Sequence, residues 1–113
     1  SYKIKDIEEA ARKANILKFI QSLEKKFDSL VGERGVRISG GQRQRIGIAR
    51  ALYINPQVLV FDEATNEIDS KTENKIMQNL LLLKPKKTFL IVSHKKDTIT
   101  KCNKIINLDD YAV

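Results

Sequence analysis

Tryptophan is absent from this sequence, and cysteine and histidine each occur once. Cys102 therefore has no partner for an intrachain disulfide, and a lone thiol fits a reducing compartment. Long apolar runs are missing as well. None approaches the roughly 18 residues that a helix needs to span a bilayer, so the chain itself is not expected to cross a membrane. The start, Ser1-Tyr2-Lys3-Ile4-Lys5-Asp6, lacks the apolar centre of a cleavable signal, which makes the cytosolic side the expected one. No internal repeat, low-complexity tract or flexible linker interrupts the 113 residues, a length suited to one domain rather than two.

Aromatic residues are also scarce, with three tyrosines and four phenylalanines, while 21 basic residues against 14 acids leave a formal charge of +7. Such a balance suits an anionic partner, either nucleic acid or a membrane surface. The lysines are nevertheless scattered in pairs, Lys25-Lys26, Lys86-Lys87 and Lys95-Lys96, without a longer basic block or interleaved aromatics. Solvated faces account for most of the charge, and nucleic acid is not the expected partner.

Periodicity supplies the elements. Asp6 and Glu9 suit a helix start, with Ile7, Ala10, Ala11 and Ala14 on one face to about Asn15; Ile16, Phe19, Ile20 and Leu23 predict a second short helix. From Phe27 to Ser39 the period vanishes, and Gly32 and Gly35 flank a turn. Ser39 suits the cap of a third helix, in which Ile46, Ile48, Ala49, Leu52 and Tyr53 form the buried stripe. Arg43, Gln44 and Arg50 are left for polar surroundings, Gly40 and Gly41 admit a ligand close to the backbone, and Asn55-Pro56 ends the helix.

Gln57 to Phe61 reads as a parallel strand buried on both faces, stopping at Asp62-Glu63. Ser70-Lys71-Thr72-Glu73 has the pattern of a capping box, before a helix with Ile76, Met77, Leu80 and Leu81 on its apolar face and Pro85 beyond it. Thr88 to Val92 predicts a second strand ending at Ser93-His94, Lys96 to Lys101 a short helix, and Lys104 to Leu108 a third strand. Strand, helix, strand, helix, strand predicts parallel βαβ units, an α/β fold. Asp62, Glu63 and His94 then share the carboxyl ends of the strands, where such sheets keep their active groups.

Hydrolysis of a nucleoside triphosphate asks a protein to neutralise phosphates, hold Mg²⁺ and align a water, with little covalent work. Asp62 offers the hard oxygen that Mg²⁺ takes, through a metal-bound water; Glu63 can polarise the attacking water, and His94 can donate to the terminal phosphate or hold that water. Singly, each has a plain structural reading: a carboxylate pair is often a helix cap, a lone histidine a packing residue, Ser-Gly-Gly a turn. Their joint order and spacing favour the chemistry.

In that order they resemble the ATP-binding-cassette (ABC) ATPases. Ile38-Ser39-Gly40-Gly41-Gln42 is similar to the family's signature motif, usually Leu-Ser-Gly-Gly-Gln; Val58-Leu59-Val60-Phe61-Asp62-Glu63 resembles its Walker B strand and catalytic glutamate. Asn66-Glu67-Ile68-Asp69 stands in the place of the D-loop and His94 in that of the switch histidine. Val31-Gly32-Glu33-Arg34-Gly35 resembles the X-loop of exporter-type cassettes, as do Arg43-Gln44-Arg45, Ile48-Ala49-Arg50-Ala51-Leu52 and Asp62-Glu63-Ala64-Thr65. The D-loop departs from the usual Ser-Ala-Leu-Asp at Asn66-Glu67, and Cys102-Asn103 stands where exporters often have Cys-Asp. Thr65-Asn66 leans toward soluble translation-factor cassettes.

Three family features are missing: no Gly-x-x-x-x-Gly-Lys-Ser/Thr phosphate loop occurs, nor the Q-loop glutamine and adenine-stacking aromatic that precede this region. The resemblance therefore implies the C-terminal part of a nucleotide-binding domain, a partial P-loop NTPase fold with a parallel sheet and part of the ABC helical subdomain. Residues 1–55 would carry that subdomain, X-loop and signature helix, and residues 56–113 the Walker B, D-loop and switch-histidine part of the core.

The resemblance also implies ATP and Mg²⁺ as cofactors, with Asp62 as metal residue and Glu63 and His94 as catalytic residues. Ser39, Gly40, Gly41, Gln42 and Asp69 would meet nucleotide held by a second nucleotide-binding domain in a head-to-tail dimer, coupled to transmembrane domains on the cytoplasmic side of a membrane. Without a phosphate loop the 113 residues alone are expected to be inactive. A soluble non-transport cassette, of the translation-factor or chromosome-maintenance type, is the alternative, and a non-catalytic assembly segment is a third reading.

Overall fold

Ile7 and the alanines behind it form the face that their spacing predicts, and α1 runs over Ile4–Lys13 with Ala10 and Ala11 buried. The computed structural model describes residues 2–111. Helix α1 starts two residues before Asp6, at an N-cap, Lys3, that makes no side-chain bond; Asp6 falls in the first turn, where its charge complements the helix dipole. Asn15 ends it in the left-handed region, at φ 57°. Asn15 N–H donates to Arg12 O and Ile16 N–H to Ala11 O, each at 2.9 Å, which is a Schellman closure. Its apolar companion, Ile16, is fully buried, and α2 follows over Leu17–Ser22.

A single turn of 3-10 helix covers Lys26–Asp28, and the following loop is pinned by a bridge between Val31 and Val36. Helix α3, Gly40–Ile54, packs against α1. Arg45 Nη1 also donates to Asn15 O at 2.6 Å, fastening α3 to the α1 corner. Ile48 is buried on α3 and Ile46, Ala49 and Leu52 are partly buried, but Tyr53 lies 39% exposed. Tyr53 is thus outside the stripe to which the sequence assigns it, since it stands at the last turn, beyond the reach of α1. Asn55 closes α3 at φ 56° before Pro56.

Strand β1, Val58–Asp62, pairs in parallel with β2, Thr88–Val92, in the register Val58↔Thr88 to Asp62↔Val92. Between them runs α4, Ser70–Leu81, and after β2 comes α5, Lys96–Thr100. Leu59 and Phe61 turn inward to a core that holds Ile68, Ile76, Met77, Leu80 and Leu83 together with Ala11, Ala14, Ile16 and Ile48. Phe61 meets Phe89 edge to face at 5.9 Å. Burying such side chains stabilises the fold by roughly 1.5–3 kcal/mol each.

Three further expectations are corrected. The sheet is not buried on both faces: Val58, Val60, Leu90 and Val92 are 56%, 61%, 55% and 47% exposed, because no described element lies over that side. Lys104 to Leu108 is not a third strand; Ile105 and Ile106 both face solvent, and a turn of 3-10 helix forms at Leu108–Tyr111. Ser70 does not cap α4. The cap is Asp69, whose Oδ2 accepts from Thr72 N at 3.0 Å, and Glu73 is buried instead of reaching back to the helix start.

Candidate functional site

Two clusters of the sequence-selected residues form, one at the carboxyl end of the sheet and one at the start of α3. At the sheet, β1 delivers Asp62 and Glu63, and the parallel register sets Val92 opposite Asp62, so that the chain leaving β2 carries His94 past the same edge. His94 Nε2 lies 3.0 Å from Glu63 Oε1, with the imidazole 90% and the carboxylate 42% exposed. Glu63 has φ 53°, in the left-handed region where side chains other than asparagine and aspartate seldom stay. Its N–H donates to Val92 O at 2.9 Å. Asp62 is exposed at the strand end.

At the start of α3, Ser39 and Gln42 cap each other: Gln42 N–H donates to Ser39 Oγ at 3.1 Å and Ser39 N–H to Gln42 Oε1 at 2.9 Å. The Ser-x-x-Gln spacing carries this capping box in the sequence, where only the serine half is read. The capped turn leaves the amides of Gly40 and Gly41 without helical acceptors, as at any helix start. A cavity of about 340 Å³ opens there, lined by Ser39, Gly40, Gly41, Arg45, Glu67, Ile68 and Asp69. The signature glycines and Asp69 therefore face one space, while Asp62, Glu63 and His94 line none of it.

The two glycines have a second reason to lack a side chain. A Cβ on Gly40 would stand 2.4 Å from the Glu67 carboxylate, and one on Gly41 would stand 2.9 Å from the Glu67 carbonyl oxygen. The D-loop segment thus packs onto the signature turn within this chain. Hydrogen bonds from Thr72 hold the Asp69 carboxyl below the usual aspartate range.

A buried polar centre beneath the D-loop escapes the sequence reading. Lys95, directly after His94, donates to Thr65 O at 2.7 Å, to Ile68 O at 2.9 Å and to Glu73 Oε2 at 3.1 Å, which uses all three ammonium protons. Thr98 Oγ1 donates to Glu73 Oε1 at 2.6 Å, and Lys101 Nζ stands 3.6 Å from that oxygen. Burial pushes the Glu73 carboxyl up, but bonds from Thr98, Lys95 and Thr65 and the Lys95 charge outweigh it, so its pKa falls below the usual range. The signal was present in spacing: residue 73 shares a helical face with Ile76, Met77 and Leu80, so a glutamate there has to be buried. Gln44, assigned only to polar surroundings by the sequence, instead bonds to Glu63, Asn66 and Glu67.

Chemically, an exposed carboxylate beside an imidazole can orient and polarise water. Among the described residues no three histidine, cysteine or acidic side chains stand together so as to hold a metal ion. Asp62 alone is compatible with Mg²⁺, which commonly keeps its waters and takes one or two carboxylates together with substrate phosphates.

The ABC transporter family model matches residues 2–66. The chain is 47% identical over 102 residues to the alpha-hemolysin translocation ATP-binding protein HlyB of Escherichia coli, covering 90% of this chain and 14% of that protein. It is 45% identical over 112 residues to the ATP-dependent lipid A-core flippase of Vibrio vulnificus, covering 99% of this chain and 19% of the flippase. A bacterial Atm1-family ABC exporter solved with ATP bound superposes with a TM-score of 0.78 at 39% identity, over 86% of this chain and 17% of the exporter. The chain thus spans less than a fifth of the length of each of these relatives, and the stretch it matches contains Ser39-Gly40-Gly41-Gln42, Asp62-Glu63 and His94. With motif order, sheet topology and similarity in agreement, the chain belongs to the ABC transporter family, as part of an exporter-type nucleotide-binding domain.

Proposed function

We propose that this chain supplies the signature-to-switch part of an ATPase that powers export across a membrane. The observation that carries the reading is the Glu63–His94 pair, 3.0 Å apart at the strand ends and separate from the cavity at the signature glycines. Asp62 would hold Mg²⁺, which would neutralise phosphate charge, Glu63 would polarise the attacking water, and His94 would fix that water or the terminal phosphate. Ser39, Gly40, Gly41 and Gln42, with Asp69 beside them, meet the nucleotide of a second nucleotide-binding domain, which closes a head-to-tail dimer. Residues 1–55 form the helical side of this unit and residues 56–113 the catalytic side.

Among the described residues no helix is long and apolar enough to cross a membrane. In this reading the unit works with transmembrane domains, on their cytoplasmic face, and the 113 residues alone do not turn over ATP. Exporters among the relatives support transport over a soluble cassette. The test is Glu63→Gln in the complete transporter. Turnover is expected to fall by two orders of magnitude or more, roughly the contribution of a general base, with ATP binding retained. Turnover at the parental rate would remove Glu63 from the reaction.

A further inference from the structure

All three hydrogen bonds of the Gln44 side chain go to the segment that follows Asp62. Its Nε2 donates to Glu63 O at 3.2 Å and to Asn66 Oδ1, and its Oε1 accepts from Glu67 N–H at 2.9 Å. The orientation of the amide is fixed by its partners, since a backbone carbonyl only accepts and a backbone N–H only donates. Glu63, which carries the catalytic carboxylate in the proposed reading, sits at φ 53°. Its N–H is held by Val92 O on β2, and its C=O accepts from Gln44 on α3 at 3.2 Å and, more distantly, from Asn66 N–H at 3.4 Å. A return of this residue to the common right-handed or extended regions would rotate the side chain away from His94.

Gln44 also lies one helical turn beyond Gly40, on the same face, and Glu67 touches both: its carboxylate borders Gly40 and its N–H bonds Gln44. The turn that meets one nucleotide and the carboxylate that acts on another are therefore joined through one amide.

We propose that Gln44 is a positioning residue that holds the Glu63 backbone in its left-handed conformation and so ties the stance of the catalytic carboxylate to the position of the signature turn. The inference rests on the reading of Glu63 as catalytic. When nucleotide on the partner domain seats α3, Gln44 holds the Glu63 carbonyl in the place that aims the carboxylate. A shift of α3 by about 1 Å breaks the bond and the aim with it, a misplacement of the size that costs orders of magnitude in rate.

Gln44→Glu and Gln44→Ala separate positioning from loop support. The glutamate variant keeps an acceptor for the Glu67 N–H but loses the donor to Glu63 O; the alanine variant loses both. In the complete transporter, both are expected to lower kcat by about tenfold or more while KM for ATP stays within about twofold, the pattern of a group that acts only in the reacting complex. In the nucleotide-free protein, amide exchange at Glu67 is expected to quicken in the alanine variant and to stay near the parental rate in the glutamate variant. Parental kcat in Gln44→Glu overturns the inference. So does a loss of kcat that merely follows a fall in the folded fraction. Glu63→Gln, measured in parallel, separates the two readings: if it is inactive while Gln44→Glu is fully active, the positioning role alone falls; if it is fully active, the catalytic role of Glu63 falls and the positioning role with it.

Discussion

Glu73 is a charged side chain on the apolar face of α4, only 1% exposed, and it remains there because Lys95, Thr98 and Lys101 surround its carboxylate. A buried carboxylate without such partners would be too costly to keep ionised. Glu73→Gln retains the shape but leaves the two lysines without their counter-charge. The expected loss is about 3 kcal/mol of domain stability, the lower end for breaking a buried pair because both lysines are partly exposed. The folded pKa of Glu73 lies below the unfolded one, so its contribution is complete above the unfolded value and drains away as pH falls through the folded value. Urea midpoints of the parental domain should therefore approach those of Glu73→Gln as pH falls below the ordinary glutamate range, and equal midpoints at neutral pH would sink the assignment.

The same scale separates the two signature glycines. An added methyl at Gly40 meets the far end of the Glu67 side chain, which can swing away, whereas at Gly41 it meets the Glu67 backbone oxygen, which cannot move without moving the D-loop. Gly41→Ala is expected to destabilise the domain by about 1–3 kcal/mol, as overpacking does, and Gly40→Ala by clearly less, read from thermal or urea unfolding. The reverse order would mean that Glu67 does not pack here.

At the scale of elements, α3 is the member that reaches both clusters. Its N-terminus is fixed by the Ser39–Gln42 capping box, its middle by Arg45 on the α1 corner, and its polar side by Gln44 on the segment after β1. The strand pair contributes position instead. Parallel pairing in the register Asp62↔Val92 is what brings Glu63 and His94, 31 positions apart in sequence, within 3.0 Å. Lys95, the residue after His94, then ties the chain leaving β2 to both Thr65 and Ile68 in the segment after β1.

At the scale of the molecule, the unequal faces of the sheet decide behaviour. Leu59 and Phe61 enter the core, while Val58, Val60, Leu90 and Val92 form an exposed apolar surface. Two parallel strands with one bare face are an incomplete layer, since parallel sheets are ordinarily covered on both sides. The 113-residue chain by itself is expected to bind an apolar fluorescent dye strongly, and Val60→Thr with Leu90→Thr to reduce that binding at unchanged helix content. A dye signal insensitive to both substitutions would place the exposed apolar surface elsewhere.

The sequence by itself determined the helices whose apolar spacing is regular, both parallel strands, and the places of Ser39 at the cap of α3 and of Asp62, Glu63 and His94 at the strand ends. These follow from local rules of periodicity, capping and strand-end placement, which act over a few residues. It misplaced the cap of α4, because Asp69 and Ser70 are equally able caps by residue type, and it is Asp69 that stands extended at the helix entry with its carboxylate on Thr72 N–H. It named a third strand that finds no partner, and it took β1 to be covered on both sides, because an apolar run shows the demand for burial and not what meets it. Only the tertiary structure decided that the carboxylate of Glu73 would meet Lys95 and that Gln44 would hold the carbonyl of Glu63. Both bonds join residues about 20 positions apart, and their partners are set by how α3, α4 and β2 pack, which no local pattern encodes.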